Sequence, residues 1–473
     1  MMNTADFRKH AHEVVDWIAD YLENIEKYPV KSQVQPKEIY NQLPDSAPDQ
    51  GESMDKIMRD FQNIILPGIT HWQSPNFFAY FPANSSYPSV LAEMLTAALG
   101  AQCMIWETSP AAAELEEKVM NWLKQMLNLP GSWEGVIQDT ASSSTLCALL
   151  SAREKHSNYS INKLGFTGNE KFRIYGSSET HSSIDKGVKI AGFGLDNLVK
   201  IQVDENQAMK VDDLETAIQS DIKNGHTPLC VVATIGTTGT TAIDPIKKIA
   251  RICREHNIWL HVDAALNGSA LILPEYRWMA EGLELADSFV FNPHKWLFTN
   301  FDCSAYFVKD KEGLIRTFTI LPEYLKTKTT GKVNDYRDWG IALGRRFRAL
   351  KLWFVIRDFG VQGLRERLRY HIQLAENLEK RIQENTDFEI MTRRTVNMLC
   401  FRYHPENIAD EEKLNQLNEK LLHSLNRTGK IFLTHTKINN RYTLRLVIGQ
   451  TNVSQSHIDR AWSLICSSIK DIV

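Results

Sequence analysis

No stretch of the 473 residues approaches the ~20 consecutive apolar residues of a membrane span. The first residues, Met1 to Lys9, carry Asp6, Arg8 and Lys9 where a secretory leader needs an apolar core, so the sequence predicts a cytosolic protein. Cysteine is sparse and scattered: seven residues, an odd number, with no Cys-x-x-Cys pair, which argues against both a disulfide framework and a zinc site. The 14 histidines include no His-x-x-x-His pair backed by a carboxylate, and His10 and His12 are too close in sequence to share a helix face, so no metal is expected. A net charge of -3 leaves no excess of positive charge for nucleic acid or an anionic membrane. The cluster Arg345-Arg346-Phe347-Arg348 does not change this, because an apolar helical pattern follows it. Internal repeats and low-complexity tracts are absent as well.

What remains is 43% hydrophobic and 23% charged, a chain long enough to bury more than one core. Phe7, Val14, Val15, Ile18, Leu22 and Ile25 recur at helical spacing and predict an amphipathic helix whose apolar face has no obvious partner nearby in sequence. A polar loop from Pro44 to Ser53 and a helix near Met54 to Ile65 follow. From about residue 88, helices (88–101, 111–127, 246–256) alternate with short apolar strands (173–175, 231–235, 259–262, 288–291, 303–308). That alternation predicts an α/β fold with a mostly parallel sheet covered by helices on both faces, whose ligands sit at the carboxyl ends of the strands. A long helical run carries Leu350, Phe354, Leu364, Leu368, Ile372 and Leu378; strands at 398–403 and 442–448 and a helix at 455–472 close the chain as a smaller α+β unit. The division is an N-terminal helical segment over 1–85, a large domain over 86–360 and a small domain over 361–473.

Two of the strands carry chemistry. Ile258 to Val262 runs into Asp263, and Ser288 to Phe291 runs into Asn292-Pro293-His294-Lys295-Trp296. A carboxylate and an amine therefore leave neighbouring strand ends, the pairing pyridoxal phosphate needs: an amine for its aldehyde and an acid for its ring nitrogen. Thr140 to Ser144 stands before a helical run at 145–153, so its first amides can hold an anion, although such a cluster is ordinarily only a cap.

Asn292-Pro293-His294-Lys295-Trp296, preceded by His261-Val262-Asp263-Ala264-Ala265, resembles the pyridoxal phosphate-dependent group II decarboxylases, and the chain looks most like their aromatic-L-amino-acid decarboxylase branch. The similarity extends from His71 to Pro75 and Phe77 to Pro82, through Gln138 to Ser142, to Leu343 to Arg348. It implies a fold-type I enzyme using pyridoxal 5'-phosphate, working as a homodimer with its active site at the subunit interface, and the unpartnered apolar face near the N-terminus fits such a dimer. It implies further that Lys295 binds the cofactor, that Asp263 partners the ring nitrogen and that His181 stacks on the ring. Ala141, Ser142, Thr238 and Asn292 match contacting positions, and His294 is either a packing residue or a contact to phosphate or substrate.

Tyr324, in Leu321-Pro322-Glu323-Tyr324-Leu325, matches a loop tyrosine that returns a proton to the α-carbon. Trp72, Tyr80, Phe81, Pro82, Ala83, Gln102, Met104 and Gly344 fall at substrate-pocket positions. Ala83 replaces a threonine often seen in animal members, and Gln102 and Met104 stand where apolar or aromatic residues are more usual. Gly344 matches a position that is glycine in plant relatives accepting indoles and serine in those specialised for phenols. The implied reaction is decarboxylation of tryptophan, tyrosine or their hydroxylated forms to the amine. Oxidative conversion to the aldehyde and decarboxylation of another amino acid are the alternatives, and a catalytically silent homologue is disfavoured by the presence of Lys295, Asp263, His181 and Tyr324 together.

Overall fold

The computed structural model describes residues 2–320 and 332–471. They form two compact units, one built from 1–82, 374–391 and 399–473, the other from 83–373 and 392–398. No helix among the described residues is long and apolar enough to cross a membrane.

In the first unit, α1 (Thr4–Glu23) begins where the Asn3 side chain accepts the N–H groups of Ala5 and Asp6, both at 2.9 Å, satisfying donors that a helix start leaves open. None of its residues is buried. The expected helix at 54–65 is α2 (Met54–Asp60) followed by one wider π turn over Phe61–Ile65. The N-terminal segment then joins the C-terminal part of the same unit, because the Phe78 N–H donates to the Phe432 carbonyl and its carbonyl accepts from the Val447 N–H. Sequence separation hides that association. The unit's antiparallel strands β8 (Phe388–Ile390), β9 (Met398–Tyr403), β10 (Thr434–Ile438) and β11 (Arg441–Val447) are ordered β10-β11-β9-β8 and pack on a core that includes Phe78, Leu378, Phe401, Leu421 and Leu446.

The second unit contains α3 (Tyr87–Leu99), α4 (Pro110–Leu127) and a seven-stranded sheet. Its strands are β1 (Glu134–Gln138), β2 (Phe172–Ser177), β3 (Leu198–Ile201), β4 (Thr227–Thr234), β5 (Trp259–Asp263), β6 (Ser288–Phe291) and β7 (Ser304–Val308), in the order β1-β7-β6-β5-β4-β2-β3. From β3 to β6 the sheet is parallel, while β7 runs antiparallel to both β6 and β1. β1 and β3 went unseen in the sequence because two or three apolar residues are too short a run to show a period. The central helix, α5 (Ala141–His156), is buried on two sides: Leu146 and Leu149 pack with Ile184, Val188 and Val232, while Cys147 and Ala148 pack with Val290 and Tyr306. It begins four residues earlier than the apolar pattern indicates, since its first turn is Ala141-Ser142-Ser143-Ser144. The long helical run Arg348–Gln383 is interrupted at Gly360, whose φ of 63° is open to glycine at no steric cost.

Candidate active site

β5 is the central strand of the seven-stranded sheet, flanked on both sides by parallel neighbours, and is buried along its whole length, as expected of a strand covered on both faces. Its last residue, Asp263, pairs in register with Thr234 on β4 and Val290 on β6. Two bonds fix it there: the carboxylate accepts the Ala265 N–H at 3.0 Å, and the backbone carbonyl accepts the Ile235 N–H at 2.9 Å. Beyond β6, the Asn292 N–H donates to the Ala265 carbonyl at 3.0 Å, and Pro293 opens a single helical turn, Pro293–Trp296, that carries Lys295.

That turn is held on both flanks. The buried Trp296 indole donates to His371 Nδ1 at 2.9 Å. His294 Nδ1 accepts the Cys303 N–H at 2.9 Å, and its ring meets Phe301 edge-on at 4.8 Å. His294 is thus a packing residue through Nδ1; burial pushes it down to about 3, so it is neutral and its proton sits on Nε2. Asn84, the residue after Ala83, donates its N–H to the His294 carbonyl at 3.0 Å and so brings Ala83 near this turn.

Electrostatics ties Lys295, Asp263 and His181 together. Burial pushes the Lys295 amine down to about 8, opposed by the Asp263 carboxylate. His181, in the turn after β2, is held below the usual imidazole range by partial burial; Asp263 pulls it up and Lys295 pushes it down. Its Nδ1 accepts the Ser183 N–H at 3.1 Å, and a backbone N–H can only donate, so the neutral ring carries its proton on Nε2. The Asp263 carboxylate thus acts on both Lys295 and His181, which come from separate motifs.

The start of α5 completes the cluster. Thr140 is its N-cap, yet the Thr140 side chain makes no capping hydrogen bond, and the first turn contains no acidic residue. The first-turn N–H groups lack intrahelical partners by geometry, so this uncapped terminus has donors that could hold an anion. Asn292 Oδ1 is buried with no partner among the described residues, as are Thr234 Oγ1, in register with Asp263, and both side-chain polar atoms of Asn267.

A model of the pyridoxal-dependent decarboxylase conserved domain matches residues 36–404. The chain belongs to the pyridoxal-dependent decarboxylase family. It is 44% identical over 475 residues to phenylacetaldehyde synthase of Arabidopsis thaliana, covering 98% of this chain and 96% of that one. It is 42% identical over 483 residues to tyrosine decarboxylase of Papaver somniferum, covering 97% and 94%. Among solved structures, tryptophan decarboxylase of Catharanthus roseus in complex with L-tryptophan superposes with a TM-score of 0.94 at 40% identity, covering 100% of this chain and 99% of that one. This member of the family is a pyridoxal 5'-phosphate enzyme, and its residues fit the cofactor: an uncapped helix start for the phosphate, a buried carboxylate for the ring nitrogen and a low-pKa lysine for the aldehyde.

Thr238 lies in an exposed turn of the loop that follows β4, a loop closed by the bridge between Ile235 and Ile243. Gln102 Oε1 accepts the Arg345 N–H at 2.7 Å, the Met104 carbonyl accepts the Arg337 N–H at 2.8 Å, and a Cβ on Gly344 would stand 3.4 Å from Gln102 Nε2. In the other unit, Trp72 stacks on Tyr80 at 5.8 Å, both exposed, while Phe81, under the Arg445 guanidinium, and Pro82 are buried. Tyr324 lies outside the described residues.

Sequence reasoning missed the pair that anchors the Gly344 segment. The buried Arg345 guanidinium binds Glu116 in bidentate fashion at 2.6 and 3.1 Å and the Ile137 carbonyl at 2.7 Å. Glu116 also accepts the Ile137 N–H at 2.8 Å. More than 200 residues separate Arg345 from both partners, so no local pattern reports the contact. The fold likewise brings His10, Glu13 and Asp55 within 4.8 Å on the surface of the first unit, a grouping that spacing does not show.

Proposed function

We propose that this enzyme removes the α-carboxylate of an aromatic L-amino acid, releasing carbon dioxide and the corresponding amine. The observation that carries this reading is the electrostatic cluster of Lys295, Asp263 and His181 at the carboxyl ends of parallel strands. The aromatic substrate class is supported by relatives that act on tyrosine and tryptophan over almost the full chain.

Pyridoxal phosphate, when bound, draws the electrons released by carbon dioxide loss into its protonated ring. Asp263 holds the proton on the ring nitrogen, and at an effective dielectric of ~20 a charge pair about 4 Å apart is worth roughly 4 kcal/mol. The α5 N-terminus and Asn292 bind the phosphate. Lys295 supplies the amine: with its pKa near 8, roughly a quarter of it is neutral at pH 7.5, against about a thousandth for an ordinary lysine. His181, with its proton on Nε2, would stack on the cofactor ring. Tyr324 delivers a proton to the α-carbon after carbon dioxide has left.

One finding favours a second reading. The 44% identity to a phenylacetaldehyde synthase points to oxidative turnover, in which amino acid, dioxygen and water give aldehyde, carbon dioxide, ammonia and hydrogen peroxide. This chain retains both Tyr324 and His181, which favours the amine. Amine, peroxide and ammonia measured against carbon dioxide from tyrosine and tryptophan test the proposal: one amine per carbon dioxide supports it, and stoichiometric peroxide refutes it.

The working form is a homodimer in this proposal. Tyr87, Leu91, Leu95 and Leu99 follow one another at four-residue steps on α3 and are 48–63% exposed in the single chain, a stripe expected to be covered. Ile341 and Leu343, next to Gly344, are also exposed, so an apolar surface borders the pocket positions. The cytosol is the compartment proposed, supported by seven unpaired cysteines, six of them buried.

A further inference from the structure

Beneath the site runs a chain of buried polar side chains that no step above employs. Trp259 and His261 lie on β5, and Ser288 on β6 pairs in register with His261. The Trp259 indole N–H donates to Ser288 Oγ at 3.0 Å. An indole N–H cannot accept, so Ser288 Oγ receives the Trp259 proton, and the same hydroxyl lies 2.9 Å from His261 Nδ1. His261 Nε2 in turn lies 3.1 Å from Thr145 Oγ1, so the ring joins Ser288 to Thr145 through its two nitrogens. His261, Ser288 and Thr145 are wholly buried, and burial pushes the imidazole down to about 3, so the ring stays neutral.

The two ends of this chain matter. Thr145 stands in the second turn of α5, whose first turn holds the open N–H donors. His261 stands two residues before Asp263 on the same face of β5. Apolar packing of Leu146 and Leu149 sets the height of α5 over the sheet, but hydrocarbon contacts are non-directional and leave its slide along the strands poorly defined. A hydrogen bond from strand to helix defines it. Pyridoxal phosphate is a stiff ring with the phosphate on a short arm at one side and the ring nitrogen at another, so both ends are held at once only if their anchors stand at one separation.

We propose that His261 is a positioning residue that, through Thr145, fixes the separation between the phosphate anchor at the start of α5 and Asp263, so that the two anchors bind the cofactor jointly. This rests on the reading of α5 and Asp263 as the anchors. Neither His261 nor Thr145 touches the cofactor. The predicted signature is a loss of coupling: each half of the cofactor binds as before, and the whole binds less tightly.

The test uses full-length apoenzyme as wild type, Thr145→Val, His261→Gln and His261→Leu, with dissociation constants measured calorimetrically for inorganic phosphate, for pyridoxal and for pyridoxal 5'-phosphate. Thr145→Val keeps the side-chain shape and removes the hydroxyl. About tenfold weaker binding of pyridoxal 5'-phosphate is expected, the scale of one buried hydrogen bond, with phosphate and pyridoxal each within about twofold of wild type. His261→Gln keeps an amide that can donate to or accept from Thr145 and should recover most of the loss seen in His261→Leu. Unchanged pyridoxal 5'-phosphate affinity in Thr145→Val overturns the proposal, even if His261→Leu fails to fold. Equal weakening of all three ligands also overturns it, since the network would then support only the fold. If wild type binds phosphate as tightly as the whole cofactor, the two-anchor reading itself fails and the clamp falls with it.

Discussion

Gln102 Oε1 accepts the backbone N–H of Arg345 at 2.7 Å, which holds the other end of that amide 3.4 Å from where a Cβ on Gly344 would stand. The space at Gly344 is therefore bounded by a fixed side chain. Gly344→Ser should fold normally, because its backbone is not in the left-handed region and the new contact is ordinary van der Waals. Its cost should fall on the larger ring: competition between equimolar tryptophan and tyrosine should shift towards tyrosine by about tenfold, the scale of one added group in an apolar pocket. An unchanged ratio would remove Gly344 from the pocket. Exclusive turnover of glutamate or an aliphatic amino acid by wild type would refute the aromatic assignment.

Lys295→Ala should abolish steady turnover. Asp263→Ala should lose roughly two to three decades of rate, following from the ~4 kcal/mol pair energy and tenfold per ~1.4 kcal/mol. Borohydride reduction followed by peptide mapping locates the modified lysine directly, and a pyridoxyl group on any other lysine would sink the assignment.

The pH dependence follows from Lys295. Its pKa is depressed to about 8, so the neutral amine that captures the cofactor is depleted as pH falls below 8 and saturates above it. Loading of apoenzyme, followed by absorbance, should therefore speed up between pH 6.5 and 8 and level off by about pH 9. Because the Asp263 charge raises this pKa, Asp263→Asn should move the midpoint to lower pH. A midpoint near 10 would show that the amine is solvated in solution.

For the fate of the α-carbon, Tyr324→Phe should slow amine release and raise aldehyde and peroxide, since dioxygen then meets a site lacking its proton donor. His181→Asn should shift the balance in the same direction. Mixed dimers of Lys295→Ala and Tyr324→Phe subunits should regain some amine formation if the tyrosine serves the partner's site. Absence of recovery, with dimer formation confirmed by light scattering, would end the cross-subunit placement.

The sequence determined the ends of the strands. Asp263 and Lys295 were legible because a covered parallel strand is a continuous apolar run, so a charge directly after it stands out, and the same contrast located β4, β5, β6 and β7. It determined the helix start less fully, since Ala141 to Ser144 have no apolar period and α5 begins where only backbone bonds report it. Tertiary structure alone decided the strand order, the antiparallel run of β7, the joining of the N-terminal segment to the C-terminal part of its unit and the Arg345–Glu116 anchor. It also decided the buried chain from Trp259 through Ser288 and His261 to Thr145, whose members lie on two strands and a helix. The physical reason is common to these cases: local sequence carries the alternation of polar and apolar residues, whereas long-range hydrogen bonds and buried ion pairs depend on which segments meet, and no period along the chain encodes that meeting.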